Sequence, residues 1–327
     1  MRIIPNPHEK LTMKKNITHR LLVFLFLNLS LALHADTPVL RVLTIGNSFA
    51  DDITRFFPDL MREAGKPLLI YRANLGGASF QRHNDALKLY LADPGDPGGR
   101  PYRTANPVTG APGPFGLPEI LGMAEWDIIT IQQVSHQSFR PETYEPHASE
   151  LLAQIRRLAP GAEIILHQVW AYREDHRMFR NPDFTPQRMH QGIRDSSREF
   201  AARNGLRVLP VGDAFHQARQ TERWTYRSDP DFNYSAPEAD TLPAEQGSLF
   251  RGYSWRRRND GQAILHLDGY HANAAGSYLG ACVLFRFLHP DTDLPDWTPA
   301  DLTDGEAADL RRIATATLAA YDQPVRP

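Results

Sequence analysis

Short apolar runs alternate along this chain with longer segments in which apolar residues recur every three or four positions. The short runs are rich in β-branched residues, as is typical of buried strands, and the longer spacing is typical of amphipathic helices. The predicted strands are 40–45, 68–73, 126–134, 163–169 and 206–211. The predicted helices are 51–64, 79–91, 117–124, 147–158, 187–203 and 274–288, and a capping-box pattern at 303–306 predicts one more.

The order of these elements predicts the fold class. Apolar strands that alternate with helices indicate a parallel sheet covered on both faces. We therefore expect an α/β fold, a three-layer α/β/α sandwich with a central parallel sheet of about five strands, formed by a single domain over 36–327. Ligands of such sheets bind beyond the carboxyl ends of the strands, so the residues that follow each strand are the first candidates for a site.

Two stretches interrupt the pattern and are predicted to be loop insertions. The stretch 93–118 is crowded with proline and glycine, and 228–262 mixes aromatic residues with arginines. Long loops in a compact domain are usually either functional or disordered. The second stretch comes shortly before Asp268, and two interpretations of its aromatic residues stay open. They stack on sugar rings, or they form a small hydrophobic cluster beneath the loop.

The N-terminal segment has the pattern of a signal peptide. Basic residues precede the apolar run 21–33, and two small residues, Ala32 and Ala35, flank the end of that run. We predict a signal peptide at 1–35 and an exported protein, periplasmic or secreted. The run is too short and too polar for a comfortable membrane span, so no stable span is expected after cleavage. An uncleaved anchor is the competing interpretation.

Composition and charge narrow the classes of partner and cofactor. The net charge of −2 gives no reason to expect a nucleic-acid partner. A single cysteine, Cys282, excludes an intrachain disulfide, and its apolar surroundings in the sequence predict a buried packing role. The sequence has no His-Glu-x-x-His motif, cysteine cluster, Walker loop or dinucleotide glycine pattern, so neither a metal nor another cofactor is predicted.

Two short motifs carry candidate chemistry. Gly-Asn-Ser-Phe at 46–49 follows the first predicted strand, and Asp-Gly-Tyr-His at 268–271 precedes the last core helix. A serine hydroxyl is a poor nucleophile and needs a base, and His271 could accept the proton of Ser48 while Asp268 fixes its tautomer. A structural interpretation stays open, in which Ser48 caps the following helix and His271 is a surface histidine.

Taken together, the order and spacing of these motifs resemble the SGNH (GDSL-like) hydrolases. More narrowly, they resemble the bacterial DUF4886 branch, in which Gly-Asn-Ser-Phe replaces Gly-Asp-Ser. The resemblance covers about 40–288 and implies the flavodoxin-like SGNH hydrolase fold. It implies that Ser48 is the nucleophile of a catalytic triad completed by His271 and Asp268. It also implies that the N–H groups of Ser48 and Gly77 bind the oxyanion.

Some oxyanion donors can be assigned in more than one way. Gly77 is favoured over Gly76 because it is nearer the following helix. The third family motif, Gly-x-Asn-Asp, is absent here, and Ile-Gln-Gln-Val-Ser-His-Gln stands at 131–137 instead. A glutamine amide can donate to an oxyanion as asparagine does, so Gln133 is the predicted donor, with Gln132 and His136 as rivals. A structural interpretation stays open, in which the two glutamines cap the end of the strand or support the loop.

The signal sequence and the resemblance together imply an exported serine esterase. It would remove small acyl groups, most simply acetyl, from a small-molecule or polysaccharide ester, with carbohydrate as the implied substrate class. A second hypothesis is a non-catalytic glycan-binding protein on the same scaffold, and a third is a flavodoxin-like cofactor binder. The candidates for residues that border the substrate are Asn47, Gly76, Gln132, His136, Trp170 and Tyr270. The stretch 170–173 follows the fourth predicted strand and is expected at the same edge, and a packing role for Trp170 stays open.

Overall fold

Five parallel strands form the central sheet, in the order β2-β1-β3-β4-β5. The structure is a computed structural model and describes residues 38–321. The predicted signal peptide at 1–35 lies outside the described residues. The five strands are β1 (Leu40–Gly46), β2 (Leu68–Asn74), β3 (Ile128–Ile131), β4 (Glu163–His167) and β5 (Arg207–Leu209).

Helices connect the strands and cover both faces of the sheet. The helices are α1 (Ser48–Thr54), α2 (Phe57–Glu63), α3 (Phe80–Ala92), α4 (Leu117–Leu121), α5 (His147–Leu158), α6 (Pro186–Asn204), α7 (Val211–Ala218), α8 (Ala274–Leu288) and α9 (Asp304–Ala319). Short 3-10 helices lie at Pro97–Gly99, Pro141–Thr143 and Arg177–Arg180. Within residues 38–321, no helix combines the length and the apolar character that a membrane span requires.

The sheet separates two hydrophobic clusters, one for each face. Successive side chains of a strand point to opposite faces. Val42 accordingly packs with residues of α1, α2 and α8, whereas Leu43 packs with residues of α3, α4 and α5. The predicted three-layer α/β/α sandwich with a five-stranded parallel sheet is therefore confirmed.

Several element boundaries differ from the prediction. The predicted helix 51–64 is two helices, because the chain bends between α1 and α2 and Pro58 occupies the first turn of α2. Strand β3 is shorter than the predicted 126–134, so the chain leaves the sheet at Gln132. Helix α7 was not predicted, because its first residue continues the apolar run of the preceding strand.

An antiparallel hairpin lies outside the central sheet and was not predicted. Its strands are β6 (Phe250–Arg257) and β7 (Ala263–Ala272), so the end of the predicted loop 228–262 is a strand. Asp268 pairs with Gly252 across this hairpin, beside a register shift. Gly252 has a φ of +76°, which a residue with a side chain rarely adopts, so this position favours glycine.

Candidate active site

A serine, a histidine and an aspartate meet at the carboxyl edge of the sheet. Ser48 is the first residue of α1, and His271 lies near the end of β7, 223 positions later. His271 Nε2 lies 2.7 Å from Ser48 Oγ, and His271 Nδ1 lies 2.9 Å from Asp268 Oδ2. An ionised carboxylate only accepts hydrogen bonds, so Nδ1 carries the proton and Nε2 accepts from the hydroxyl. This arrangement can pass the serine proton to the ring.

Asp268 is held as an anion in this arrangement. Its side chain is buried, and burial alone would raise its pKa. Hydrogen bonds from the ring and the backbone N–H of His271 outweigh that effect and lower the pKa of Asp268 to about 2. Arg251 contributes in the same direction, with Nη1 4.0 Å from Asp268 Oδ2. A full negative charge therefore lies beside the imidazole at neutral pH.

A second buried carboxylate, Asp52, joins the helix that carries Ser48 to the strand that carries His271. It lies four residues after Ser48 on α1 and accepts a 2.9 Å hydrogen bond from the backbone N–H of Ala272. Arg251 Nη2 donates to its other oxygen at 2.8 Å. Burial nevertheless raises the pKa of Asp52 to about 6. Asp52 is not among the predicted site residues, although its place one helical turn after Ser48 is visible in the sequence.

Asn47, and not Ser48, caps helix α1. Its Oδ1 accepts from the N–H of Phe49 at 3.1 Å, and its Nδ2 donates to the carbonyl of Ala78 at 2.9 Å. The structural interpretation of Ser48 as the N-cap is therefore wrong. The Asn47 side chain is fully engaged, so it holds the turn after β1 to the turn after β2 and leaves the Ser48 hydroxyl to His271.

The glycine turn after β2 lies beside Ser48, as predicted for an oxyanion donor. Its internal hydrogen bond runs from the N–H of Ala78 to the carbonyl of Leu75, so the turn does not use the N–H groups of Gly76 and Gly77. Gly77 has a φ of +63°, which a residue with a side chain rarely adopts. Both glycines line the same cleft as Ser48.

The structure contradicts the prediction that Gln133 donates to an oxyanion. Its Nε2 donates to the carbonyl of Thr143 at 2.8 Å, and its Oε1 accepts from the N–H groups of Phe80 and Val134 at 3.0 and 2.9 Å. The side chain is buried and does not line the cleft. Its amide therefore holds the start of α3 against the segment after β3.

Gln132 is also engaged away from the cleft. Its Nε2 donates to Asn47 Oδ1 at 2.7 Å, and its Oε1 lies 2.8 Å from His167 Nδ1. It therefore supports the turn that carries the nucleophile, and its predicted place beside the substrate is wrong. His136 does line the cleft, together with its neighbour Ser135. Of the three residues proposed for the third donor, His136 is the one that the structure places at the site.

Trp170 belongs to the core and does not line the cleft, so of its two interpretations, substrate contact and packing, the structure supports packing. Its ring is fully buried and stacks on Phe49 and Phe215, with centroid distances of 4.2 and 4.3 Å. Its Nε1 donates to the carbonyl of Tyr270 at 2.8 Å. Trp170 thus holds the backbone next to His271 from the core side. The Tyr270 side chain lines the cleft, where it was predicted to lie.

These residues surround an open cleft of about 810 Å³. The predicted site residues that line it are Asn47, Ser48, Gly76, Gly77, His136, Tyr270 and His271. The segment after β4 adds Tyr172, which lies in the stretch 170–173 expected at this edge, and four residues that were not predicted, namely His176, Arg177, Met178 and Arg180. The only sequence signal for this segment was its place after a predicted strand, because its residues carry no recognisable motif.

The described residues offer no obvious place for a metal ion. In the range 38–321, no group of three or more histidine, cysteine, aspartate or glutamate side chains is arranged to hold one. Cys282 is fully buried in α8, and burial raises the pKa of its thiol to about 12. That thiol therefore stays protonated and packs as an apolar group, as predicted.

Comparison with known families supports the predicted resemblance. Residues 115–235 match the family model described as "Domain of unknown function (DUF4886)". The resemblance to DUF4886 is confirmed. The DUF4886 match includes the segment after β3 and the cleft residues Arg177 and Arg180, but neither Ser48 nor His271. None of the curated proteins compared with the chain matches it.

One solved structure has the same fold as this chain, and two others are structurally more distant. A DUF4886 family protein from Bacteroides uniformis is 23% identical, with a TM-score of 0.65, and the match covers 86% of this chain and 96% of that one. A provisionally assigned SGNH hydrolase from Slackia heliotrinireducens is 18% identical, with a TM-score of 0.45, over 77% of this chain and 100% of that one. A GDSL-like lipase from Bacteroides thetaiotaomicron is 12% identical, with a TM-score of 0.39, over 77% and 89%.

Proposed function

We propose that the protein is a serine hydrolase that cleaves carboxylic esters. The observation that carries the proposal is the continuous hydrogen-bond chain from Ser48 Oγ through His271 to Asp268, with distances of 2.7 and 2.9 Å. Ser48 attacks the ester carbonyl while His271 takes its proton, and His271 then returns that proton to the leaving alcohol. Water attacks the acyl-enzyme in the second half of the cycle, with His271 again acting as base.

The oxyanion of the tetrahedral intermediate needs donors beside Ser48. We assign two of them to the N–H groups of Ser48 and Gly77, which lie at the start of α1 and in the glycine turn. The third role falls to His136. Partial burial and the nearby Arg140 lower the pKa of His136, so its ring is neutral and keeps one N–H that can donate.

The proposed substrate is a small acyl ester of a carbohydrate, most simply an acetyl ester. The resemblance to the SGNH hydrolases supports this class, and the open cleft leaves room for an alcohol part much larger than the acyl group. The basic and apolar pattern at 1–35 supports export, so the proposed place of action is outside the cytoplasm.

Ester hydrolysis by the wild type and by Ser48→Ala tests the proposal. We expect the wild type to hydrolyse p-nitrophenyl acetate and an acetylated polysaccharide, and Ser48→Ala to lose at least about 10³-fold in kcat because the nucleophile is gone. Ser228→Ala is the matched control, since Ser228 is exposed and lies outside the cleft. Equal hydrolysis by wild type and Ser48→Ala would exclude Ser48 as the nucleophile.

A fluorophosphonate probe separates this proposal from a non-catalytic glycan-binding protein. An activated serine reacts covalently, so the wild type and Ser228→Ala should be labelled and Ser48→Ala should not. The aromatic residues of 228–262 do not favour the glycan-binding alternative, because they contact one another instead of the cleft. Tyr234 lies 5.0 Å from Phe232 and 5.2 Å from Tyr253 between ring centroids, and Trp255 donates to the carbonyl of Thr241.

A further inference from the structure

The permanently charged side chains that line the catalytic cleft, among the described residues, are all positive. Within the described part of the chain, its lining includes two arginines, Arg177 and Arg180, and neither an aspartate nor a glutamate. Both arginines are exposed and belong to the 3-10 helix that follows β4. The carboxylate of Asp268 lies behind His271 and is used by that histidine. A ligand in the cleft therefore meets positive charge without a compensating carboxylate in the wall.

The acidic residues next to these arginines are already paired with other partners. Asp175 accepts from the buried Arg173, and Glu174 accepts from Arg219 at 2.6 Å. Neither Arg177 nor Arg180 forms an ion pair within 4.0 Å among residues 38–321. Two guanidinium groups at the mouth of a catalytic cleft are thus free to bind an anion.

The two histidines of the cleft add no competing charge. Burial, more than the nearby Arg177, lowers the pKa of His176 against the opposing effects of Asp175 and Asp268, and partial burial, more than Arg140, lowers the pKa of His136. Both rings line the cleft. When these histidines are neutral, Arg177 and Arg180 are the charged groups that a substrate meets in the cleft. A cleft lined by charges of one sign concentrates ligands of the opposite sign.

We propose that the alcohol part of the ester substrate is an anionic glycan, bound through its carboxylate or sulfate groups by Arg177 and Arg180. This proposal rests on the esterase function proposed above. A guanidinium presents parallel N–H donors that match the two oxygens of a carboxylate or sulfate, which a neutral sugar hydroxyl cannot use as fully. The arginines act as specificity determinants, while the acyl group is processed at Ser48.

Matched substrates that differ in charge test this proposal. We compare kcat/KM for acetylated oligogalacturonate, for its methyl-esterified form and for acetylated xylo-oligosaccharide. The wild type should prefer the acidic substrate by about tenfold or more, and the preference should shrink in 0.5 M NaCl because salt screens exposed charges. Arg177→Gln and Arg180→Gln should each reduce the preference about two- to fivefold, and the double variant about tenfold. Arg103→Gln, an exposed arginine outside the cleft, is the control and should keep the wild-type preference.

A binding measurement separates the charge proposal from the esterase proposal. Calorimetry with Ser48→Ala compares oligogalacturonate, its methyl ester and a sulfated galactose oligomer, so the two anions are tested against a neutral analogue. Tighter binding of either anion that is lost in the Arg177→Gln/Arg180→Gln background supports the proposal and identifies the anion. Equal affinity for acidic and neutral oligomers, or a preference that survives loss of both arginines, overturns it. Absence of any ester hydrolysis would refute the esterase function alone.

Discussion

Gln132 and Gln133 are neighbours with the same side chain, yet the fold gives them different contacts. Gln132 holds Asn47 at the nucleophile turn, and Gln133 joins the start of α3 to Thr143. Both side-chain amides form their hydrogen bonds with groups inside the protein. His136 reaches the cleft instead, because the chain has left the sheet and turned outward by that point.

Gln133→Ala should therefore affect stability more than catalysis. The variant leaves the carbonyl of Thr143 and the N–H groups of Phe80 and Val134 without their partner, at a cost of about 1–3 kcal/mol in the free energy of unfolding. Urea denaturation measures this loss, and kcat of the folded fraction should stay within about threefold of wild type. His136→Ala is the comparison, with an expected fall in kcat of about 10² if its ring donates to the oxyanion. A large fall in kcat for Gln133→Ala and none for His136→Ala would reverse the assignment.

At the scale of elements, the site depends on how α1 and β7 are joined. Asp52 on α1 accepts a hydrogen bond from the backbone N–H of Ala272. Arg251 on β6 lies between two carboxylates, because it donates to Asp52 and its other Nη atom is 4.0 Å from Asp268. The helix that carries the nucleophile is thus fixed to the strand that carries the base. Burial makes this junction sensitive to pH, since the pKa of Asp52 is raised to about 6.

Asp52→Asn should change how stability depends on pH. Between about pH 4 and 6 the folded wild type keeps the Asp52 proton, whereas the unfolded chain releases it at its ordinary pKa of 3.8. The folded state binds more protons there, so this group's contribution to stability falls as pH rises through that range. Asp268 acts oppositely, because its pKa of about 2 stabilises the fold above pH 4 and that contribution is lost as pH falls toward 2.

Chemical denaturation at half-unit pH steps from 3 to 8 checks this prediction. The wild type minus Asp52→Asn difference in unfolding free energy should decrease from pH 4 to 6 and then level off. Asp301→Asn is a suitable control, since Asp301 is an exposed aspartate that forms an exposed ion pair with Arg55. A difference that stays flat across the range would show that Asp52 does not retain its proton in the folded protein.

The elements that sequence could predict are those with a strong apolar pattern. Strands β1, β2 and β4 and helices α8 and α9 carry such a pattern or a capping box, and they lie close to their predicted positions. The hairpin β6–β7 was missed because its strands form a two-stranded ribbon, half exposed and rich in arginine. The pattern of apolar residues cannot reveal a strand that pairs with a single neighbouring strand and is stabilised by contacts with residues distant in sequence.

The site residues divide in the same way. Ser48, His271 and Asp268 could be found because their chemistry needs particular side chains in a particular order. Gln133 and Trp170 could not be assigned correctly, because the sequence gives the residue type but not the direction of its side chain. Both have polar groups that the fold uses internally, at Thr143 and at the carbonyl of Tyr270.

At the scale of the whole molecule, Arg173 connects several distant parts of the chain. Its side chain is fully buried, pairs with Asp175 and Glu245 at 2.8 Å, and lies over the ring of Tyr226 at 4.1 Å. Its backbone N–H donates to the carbonyl of Gly269, next to Asp268. Arg173 thus links the segment after β4 both to the segment before β6 and to strand β7, which carries Asp268 and His271.

Arg173→Met should strongly destabilise the protein. It removes a fully buried guanidinium and leaves the carboxylates of Asp175 and Glu245, which are 26% and 13% exposed, without their counter-charge. Breaking a fully buried pair in this way costs about 3–5 kcal/mol, which is the upper bound expected here. Arg55→Gln removes an exposed pair and should cost less than about 1 kcal/mol. Thermal and urea unfolding of the two variants measure the contrast. Similar losses for both variants would mean that Arg173 is not the centre of this network.

The bond between Asp52 and Ala272 has a consequence for motion in the cleft. Ser48 and Asp52 lie on the same short helix, and Ala272 directly follows His271. The Asp52–Ala272 hydrogen bond therefore fixes the position of Ser48 relative to His271. A ligand can therefore enter the cleft without separating Ser48 from His271. A change in the width of the cleft is expected instead from its other side, where Tyr172, Arg177 and Arg180 belong to the segment between β4 and α6.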